Sequence, residues 1–432
     1  MKPFQVGLLG AGTVGGGTFA VLQRNQEEIR RRAGREIRIS HVADVDLVRA
    51  RSVVGGAAEV TSDARAVLQR PEIDAVIELI GGTTIAKTLV LEAIDAGKHV
   101  VTANKALLAV HGTEIFAAAR ENGVVVAFEG AVAGGIPIIK ALREGLTANR
   151  IEWIAGIING TCNYILSEMR DKGLPFDMVL GEAQRLGYAE ADPSADVDGF
   201  DARSKLVLLA ALAFGEKITP SDIFVEGIRR ITPLDFQYAR TLKHTIRLIC
   251  GGRKTPDGLI LFVRPALIPT STILAGVQGP YNAVWVKGMF GEDTFYYGWG
   301  AGHPTGVAVV SDLMRVAREI RGGSPERVSP FAHERLGENK PISVRHQKRA
   351  YYLRFRVEDR PGIIAKLAGI LASKHIGLEA VLQEPCDTKD DLPFVITTEQ
   401  TSEQSICEAV EEMARLDFMR EAPLALPMET AL

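Results

Sequence analysis

The chain has 432 residues, of which 46% are hydrophobic and 24% are charged. These fractions are close to those of globular proteins and exclude a disordered or collagen-like chain, and the length predicts two to four domains. The 50 Lys and Arg residues nearly balance the 53 Asp and Glu residues, so the formal net charge is −3. Because proteins that bind nucleic acid through a basic surface carry a clear positive charge, we expect no nucleic-acid partner.

We also expect no membrane partner and no secretory signal. The most apolar uninterrupted run, residues 206–214, is much shorter than the ~20 residues that span a bilayer. The segment MKPFQVGLLGAG at 1–12 lacks the long apolar stretch and cleavage site of a signal peptide. The four cysteines are scattered and form no CxxC pair, which argues against a disulfide framework or a zinc site. A cytoplasmic protein fits these features best.

Residues 1–150 predict a nucleotide-binding domain. An apolar strand, Phe4–Leu9, leads directly into Gly10, Gly12 and Gly15, and a helical stretch follows. In this context the glycines allow a tight turn, close approach of a pyrophosphate and close packing of the helix. Apolar strands then alternate with helices as far as residues 124–128. The alternation predicts a doubly wound α/β fold with a parallel sheet.

The residues after the second predicted strand bear on the choice of cofactor. Asp44 and Asp46 follow this strand, and Arg49 and Arg51 come just beyond. An acid at this point binds the ribose 2′-hydroxyl of NAD, whereas an arginine accommodates the 2′-phosphate of NADP. Since both residue types are present, the sequence leaves NAD and NADP open.

The pattern changes after residue 150. Longer helices followed by β-rich segments predict an α+β substrate-binding and dimerisation domain over residues 151–297. Residues 298–320 open another helix and are predicted to pack back onto the nucleotide domain. The polar segment 321–350 predicts a linker, and the order β-α-β-β-α-β over 351–432 predicts a ferredoxin-like domain.

The densest cluster of ionisable residues is LGYAEADPSADVDGFDARSK at 186–205. An EF-hand calcium loop is excluded, because its twelfth position would be Lys205 instead of a bidentate Glu. Lys205 begins an apolar helix that should be buried, and Asp201 lies one turn earlier. This spacing favours a charged lysine held in a low-dielectric site, as a general acid requires, while Glu190 and nearby acids could hold a substrate ammonium. A solvated acidic turn with an i,i+4 surface pair is the alternative.

Three other loops could contribute to a site. Lys105 follows the strand His99–Thr102, at the sheet edge where open α/β sheets bind ligands, although a surface charge is the alternative. The small-residue loop 129–137 could turn backbone carbonyls towards a ligand or a cation, or could simply be a tightly packed turn. Gly160 and Thr161 stand at a helix start and could cap it or bind a substrate carboxylate.

Six segments together resemble the homoserine dehydrogenase family, in the monofunctional form with a C-terminal ACT domain. The segments are GAGTVGGG at 10–17, TANKALLA at 102–109, EGAVAGGIPII at 129–139, GIINGTCNYIL at 156–166, LGYAEADPSADVDGFDARSK at 186–205 and GAGHPTG at 300–306. Members of this family interconvert L-aspartate 4-semialdehyde and L-homoserine with NAD or NADP, on the route to threonine, methionine and isoleucine. The resemblance therefore implies an NAD(P)-dependent oxidoreductase.

The resemblance also implies roles for individual residues. The catalytic residues it implies are Lys205 as proton donor, Lys105 and Asp201. The cofactor contacts it implies are Gly10, Gly12, Thr13, Val14, Gly15, Lys105 and Gly302. The substrate contacts it implies are Glu190, Asp196, Gly160 and Thr161. A monovalent cation, Na⁺ or K⁺, is implied at Glu129, Val132, Gly134 and Ile136. The implied partners are a small-molecule substrate, threonine as an effector at the ACT domain, and further copies in a homodimer or homotetramer.

Two other functions remain open from the residues. One is another Rossmann-type dehydrogenase of a small amino acid, which a panel of substrates would separate. The other is a non-catalytic amino-acid sensor that uses its ACT domain, and it would bind threonine without homoserine-dependent reduction of NAD(P). The presence of Lys105, Lys205 and Glu190 disfavours the sensor.

Overall fold

The computed structural model describes residues 2–321, 328–384 and 391–429. Two β-sheets, one of six strands and one of eleven, organise these residues. In the described ranges, no helix combines the length and the apolar character needed to cross a membrane.

The six-stranded sheet and its helices form the first unit. Its elements are β1 (Phe4–Leu9), α1 (Thr13–Arg24), α2 (Gln26–Ala33), β2 (Ile37–Ala43), α3 (Leu47–Val54), β3 (Glu59–Thr61), α4 (Ala64–Leu68), β4 (Ala75–Glu78), α5 (Ile85–Asp95), β5 (His99–Thr102), α6 (Lys105–Glu121) and β6 (Val126–Ala127). The strands are parallel, in the order β3-β2-β1-β4-β5-β6. Separate apolar clusters cover its two faces, so the predicted parallel α/β sheet is confirmed.

The second unit combines helices with long antiparallel strands. Its elements are α7 (Ile138–Lys140), β7 (Ile151–Ile157), α8 (Gly160–Lys172), α9 (Phe176–Arg185), α10 (Ser194–Val197), α11 (Phe200–Phe214), β8 (Phe224–Val225), α12 (Pro233–Thr241), β9 (His244–Thr255), β10 (Gly258–Pro269), β11 (Tyr281–Gly288), β12 (Glu292–Trp299) and α13 (His303–Arg321). Helix α11 is buried on nearly every side and lies between Gly199 and Gly215, both of which are left-handed. These glycines fix both ends of the helix that carries Lys205.

Helix α13 lies against the first unit. Val309 and Leu313 share an apolar cluster with Phe19 of α1. The two helices approach closely, since a Cβ on Gly306 would stand 2.8 Å from the carbonyl carbon of Gly17. The chain thus crosses from the first unit to the second and back again.

The segment predicted as a linker is packed where the structure describes it. Residues 322–327 lie outside the described ranges. Further on, the ring of Phe331 lies 5.0 Å from that of Phe116 and 5.9 Å from that of Phe128, between ring centroids. The N–H of Gly337 donates to the carbonyl of Gly215 at 2.7 Å. The aromatic contact and the backbone hydrogen bond together attach this segment to the core.

The last described part of the chain is a βαββαβ unit. Its elements are β13 (Lys348–Val357), α14 (Ile363–Ser373), β14 (Leu378–Leu382), β15 (Leu392–Thr398), β16 (Thr401–Ser402), α15 (Glu403–Met413) and β17 (Leu424–Met428). Nine strands of the eleven-stranded sheet follow the order β12-β11-β7-β9-β10-β17-β13-β15-β14, while β16 pairs with β13 and β8 pairs with β10. The pairs are antiparallel except those of β10 with β8 and of β10 with β17, the latter at Leu267 and Met428. The last unit therefore extends the sheet of the second unit.

Buried ion pairs join these two units. Arg354 of β13 pairs with Asp235 of α12, and both side chains are almost inaccessible to solvent. Arg264 of β10 pairs with Glu403 of α15 at 2.8 Å, also in the interior. Since a buried charge that loses its partner is costly, these pairs hold the two units in one arrangement.

Candidate active site

A cavity of about 570 Å³ lies between the glycine loop of the first unit and the helix starts of the second. The site residues expected from the sequence that line it are Thr13, Val14, Lys105, Gly134, Gly160, Thr161, Glu190, Asp196, Asp201, Lys205 and Gly302. A larger cavity of about 760 Å³ beside Trp153 and Trp285 contains none of the expected site residues. The smaller cavity is the candidate active site because ligands of open α/β sheets bind at the carboxyl ends of the strands.

The three glycines of the loop after β1 meet different surroundings. Gly10 has a φ of +96°, and a Cβ there would stand 2.6 Å from the carbonyl oxygen of Leu79. A Cβ on Gly15 would stand 2.1 Å from the carbonyl oxygen of Gly10. A Cβ on Gly12 would meet no protein atom within 4 Å. The fold itself requires Gly10 and Gly15, whereas Gly12 borders open space at the start of α1, where a pyrophosphate fits.

Asp44 supports this loop from the end of β2. Its carboxylate accepts the N–H of Ala11 at 2.6 Å and the N–H of Asp46 at 2.8 Å, and it pairs with Arg49 at 3.1 Å. Burial would raise the pKa of Asp44, but the backbone donors and Arg49 together lower it. An ionised acid and an arginine therefore lie side by side at this edge, and the geometry keeps both NAD and NADP open.

One carboxylate bridges two lysines at the wall of the cavity. Lys205 Nζ donates to Asp201 Oδ2 at 2.7 Å and to the carbonyl of Ile158 at 2.8 Å. Lys105 Nζ lies 3.0 Å from Asp201 Oδ1. Lys205 is only 9% exposed, whereas the side chain of Lys105 is 38% exposed. The two lysines come from different units, and Asp201 holds them together.

The electrostatics keep this group charged. Burial alone would raise the pKa of Asp201, but the ammonium groups of Lys205 and Lys105 outweigh it and hold the pKa well below its usual range. Attraction to Asp201 raises the pKa of Lys105, and burial opposes this only in part. At neutral pH the site therefore contains an ionised acid between positive lysines.

Asn159, which the sequence analysis missed, organises the acids beside the lysines. Its Nδ2 donates to Asp196 Oδ1 at 2.6 Å and to Asp201 Oδ2 at 2.9 Å. Its Oδ1 accepts the N–H of Cys162 at 2.8 Å and so caps α8. Burial, with the charge of Asp201, raises the pKa of Asp196. An Asn directly before a helix start is a recognisable cap signal, and this signal could have identified the residue.

The other expected substrate contacts surround the same cavity. Thr161 donates its hydroxyl to the carbonyl of Tyr188 at 2.7 Å, which ties the start of α8 to the acidic loop. A Cβ on Gly160 would stand 2.8 Å from the carbonyl oxygen of Pro280, so only glycine fits there. Glu190 lines the cavity and is exposed to solvent.

The carboxylate of Glu129, an expected cation ligand, is engaged elsewhere. It accepts the N–H groups of Ile139 at 2.9 Å and Lys140 at 3.0 Å, at the start of α7. Lys140 Nζ lies 3.1 Å from Asp312. Burial raises the pKa of Glu129 to about 7, and the charge of Asp312 adds to the effect. These hydrogen bonds engage the carboxylate at the start of α7.

A cation in this loop would instead need backbone carbonyls. The carbonyl of Ile136 already accepts the N–H of Ile138 at 2.8 Å. Across the described residues, no group of three or more His, Cys, Asp or Glu could hold a metal ion. The monovalent cation at Glu129, Val132, Gly134 and Ile136 stays a prediction.

The parallel sheet, the open space at Gly12 and the lysines beyond it define a dinucleotide-dependent oxidoreductase. Comparison with known proteins is more specific. Residues 10–129 match the family model for the NAD-binding domain of homoserine dehydrogenase, and residues 137–314 match the homoserine dehydrogenase model. A homoserine dehydrogenase from Pseudomonas aeruginosa is 49% identical over 425 residues, which cover 96% of each chain. The chain belongs to the homoserine dehydrogenase family and is an NAD(P)-dependent oxidoreductase.

Solved structures agree with this assignment. A homoserine dehydrogenase from Thiobacillus denitrificans is 49% identical and superposes with a TM-score of 0.93, covering 100% of this chain and 99% of that one. A hyperthermophilic archaeal homoserine dehydrogenase in complex with NADPH is 24% identical, has a TM-score of 0.62 and covers 73% of this chain and 98% of that one, which shows likeness of fold alone. These matches give no support to the amino-acid sensor or to another small amino-acid dehydrogenase.

Asp201→Asn tests the charge shared by the two lysines. We expect the free energy of unfolding at neutral pH to fall by about 2 kcal/mol or more, because the buried ammonium group of Lys205 loses its counter-charge. The pKa of Asp201 is lower in the folded state than in the unfolded state, so its ionised form stabilises the fold at pH values above the unfolded pKa of ~3.9. This contribution is lost as the pH falls through the folded pKa. The difference in free energy of unfolding between the unsubstituted chain and Asp201→Asn should therefore become smaller at acid pH. Urea unfolding at a series of pH values measures it.

Asp198→Asn is the matched control on the same loop. Asp198 pairs with Arg229 at 2.6 Å, but their side chains are 32% and 45% exposed. We expect this substitution to cost less than about 1 kcal/mol. Equal losses in the two variants would contradict a special role for the buried Asp201.

Proposed function

We propose that the chain interconverts L-aspartate 4-semialdehyde and L-homoserine, with Lys205 as the proton donor in the direction of reduction. The Asp201 carboxylate, hydrogen-bonded to Lys205 and paired with Lys105, carries this proposal. It keeps two ammonium groups beside a cavity that also contains the glycine loop.

The cofactor contacts proposed for the first unit follow from the shape of the loop. Gly12 leaves room for the pyrophosphate, and the first turn of α1, with Thr13 and Val14, presents backbone N–H groups to it. Gly302 lies on the wall of the same cavity with a φ of +82°. When bound, NAD(P) supplies or accepts the hydride.

The two lysines act on the carbonyl oxygen of the substrate. Reduction of an aldehyde develops negative charge on this oxygen, which a fixed ammonium group stabilises and can then protonate. Lys205 is the more buried of the two lysines and donates hydrogen bonds to two acceptors, the carbonyl of Ile158 and the carboxylate of Asp201. These two bonds fix the direction of its third N–H group. Lys105 is more exposed and borders the cofactor side of the cavity. Asp201 acts through both lysines and is therefore a positioning residue.

The amino-acid end of the substrate needs one anionic and one cationic partner. Glu190 and Asp196 line the cavity and would bind the substrate ammonium. Gly160 and Thr161 begin α8, and backbone N–H groups at a helix start attract a carboxylate. The opposite charges around the cavity match a small zwitterion.

Lys205→Ala tests the proton donor and the reaction together. We expect kcat for homoserine oxidation to fall by a factor of about 10² to 10⁴, the usual contribution of a general acid or base. The Kd of NADPH should change little, because Lys205 lies on the second unit. The measurement is steady-state reduction of NAD⁺ and of NADP⁺, with NADPH binding followed by fluorescence.

Lys217→Ala is the control, since this exposed lysine lies beyond the end of α11 and away from the cavity. Wild-type turnover in Lys205→Ala would overturn the role of Lys205. Absence of homoserine oxidation by the unsubstituted chain with either cofactor would overturn the proposed reaction.

Gly12→Val tests the proposed pyrophosphate contact. The backbone at Gly12 is extended, with a φ of −69°, and a Cβ there meets no protein atom within 4 Å, so we expect valine to be tolerated by the fold. The side chain would fill the space for the pyrophosphate, and we expect the Kd of NADPH to rise tenfold or more with little change in Tm. Gly15→Val should instead lower Tm, because its Cβ collides with the carbonyl oxygen of Gly10. Normal NADPH binding by Gly12→Val would contradict the contact.

We further propose that residues 351–432 form a ferredoxin-like ACT domain that binds threonine. The βαββαβ order and the strand sequence β17-β13-β15-β14 support this fold. Neither of the two matching family models extends beyond residue 314, so neither covers this unit. A cavity of about 290 Å³ at the start of α14 contains Asp359 and Arg360, whose charges complement the ammonium and carboxylate of an amino acid.

Titration of the full chain with L-threonine tests this effector. We expect saturable binding, weakened about tenfold or more by Asp359→Asn, because a charge-assisted hydrogen bond is lost. Glu411→Gln on α15 is the control and should bind normally. Binding that Asp359→Asn leaves unchanged, or no binding at all, would contradict the proposal.

Self-association and a cytoplasmic location complete the proposal. Phe290 lies beside the edge strand β12 and Tyr297 lies in it, and they are 83% and 52% exposed. An exposed apolar edge strand is a surface that proteins usually cover. A second copy of the chain in a homodimer or homotetramer would cover it.

A further inference from the structure

A separate cavity of about 280 Å³ lies where the end of α8, the end of α12 and the start of β9 meet the loop 270–278. We call it the α8–β9 cavity. The side chains that define its chemistry are Arg170, Arg240, His244, Thr245 and Phe236. It shares no lining residue with the candidate active site.

Positive charge is concentrated around the α8–β9 cavity. Arg170 and Arg240 line it, and Arg247 lies behind its wall, fully buried, with a hydrogen bond of 3.1 Å to the carbonyl of Ala275. Burial, together with the charge of Arg170, lowers the pKa of Arg247 to about 9. Asp171 provides the opposing charge and pairs with Arg170 at 2.7 Å. Three guanidinium groups thus surround one carboxylate.

Unpartnered polar atoms give a second indication of a ligand. Thr245 is only 5% exposed and lines the cavity, yet its hydroxyl has no hydrogen-bond partner among the described residues. His244 Nε2 is likewise buried without a partner, while its Nδ1 lies 2.6 Å from the carbonyl of Leu242. Buried polar atoms in native proteins are almost always satisfied, so these atoms point to a missing acceptor or donor.

We propose that the α8–β9 cavity binds a small oxyanion, a carboxylate or a phosphate group. Arg170 and Arg240 supply charge-assisted hydrogen bonds, and the hydroxyl of Thr245 donates a third. His244 Nε2 either accepts a proton-bearing oxygen of the ligand or, when the ring is protonated, donates to the anion. Phe236 and Ala275 provide apolar contact for a short carbon chain.

Calorimetric titration of the full chain with inorganic phosphate and, separately, with acetate tests the site. Saturating NADP⁺ is present throughout, so that the glycine loop is occupied. We expect saturable binding of at least one anion, and the comparison of the two shows whether phosphate or carboxylate is preferred. Thr245→Val, which is nearly isosteric, and Arg240→Ala, whose side chain is exposed, should each weaken this binding about tenfold.

Arg120→Ala, on the exposed face of α6, is the control and should leave anion binding unchanged. Failure of both anions to bind at millimolar concentration would overturn the proposal. So would binding that survives both Thr245→Val and Arg240→Ala, since the anion would then lie elsewhere. Retained homoserine oxidation in the variants would show that the dehydrogenase site is intact.

Discussion

The active site depends on one buried carboxylate. Asp201 accepts hydrogen bonds from Lys205 and Asn159 and pairs with Lys105, so three elements from two units converge on two oxygen atoms. The carboxylate can be buried only because its charge is fully compensated. Helix α11 must therefore start at a fixed place, and the left-handed Gly199 before it provides that start. The positions of α11, of the start of α8 and of Lys105 around the cavity are those that bring their polar groups to the Asp201 carboxylate.

The pairing of Lys105 with Asp201 also explains why the second unit must be held against the first. Helix α13, whose Thr305 lines the cavity, packs against the first unit, and Phe331 contacts Phe116. Small residues make this closeness possible, as at Gly306 and Gly17. A site assembled across two units needs such contacts, because a shift of about 1 Å would separate the catalytic groups.

Local spacing explains what could be predicted from the sequence. Asp201 and Lys205 are one helical turn apart, so their contact follows from the helix itself. The parallel sheet likewise follows from the alternation of apolar strands and helices. The pairing of Lys105 with Asp201 joins distant parts of the chain, and no local pattern encodes it. The same is true of the pairing between Leu267 and Met428, which joins the last unit to the second sheet.

Other differences between the sequence-based expectations and the structure arise where one side chain can serve either the fold or a ligand. The carboxylate of Glu129 accepts two backbone N–H groups at the start of α7, a contact that composition could not reveal. Short elements such as β3, α3 and α4 carry too few residues for a period to be recognised. For Asn159, the sequence is sufficient to predict its position as the cap of α8. It is not sufficient to predict the hydrogen bonds of Asn159 to Asp196 and Asp201.

Helices α8 and α12 lie between the last unit, the α8–β9 cavity and the candidate active site. The N-terminal end of α12 is held by Arg354 of the last unit through Asp235, and its C-terminal end carries Arg240 into the α8–β9 cavity. Helix α8 runs from that cavity to the active site, and its Asn163 donates to the carbonyl of Gly279, one residue before the cavity-lining Pro280. An anion between these helices would contact both and could alter the start of α8, where the substrate carboxylate is expected. Any coupling between the two cavities would have to pass through these packed helices.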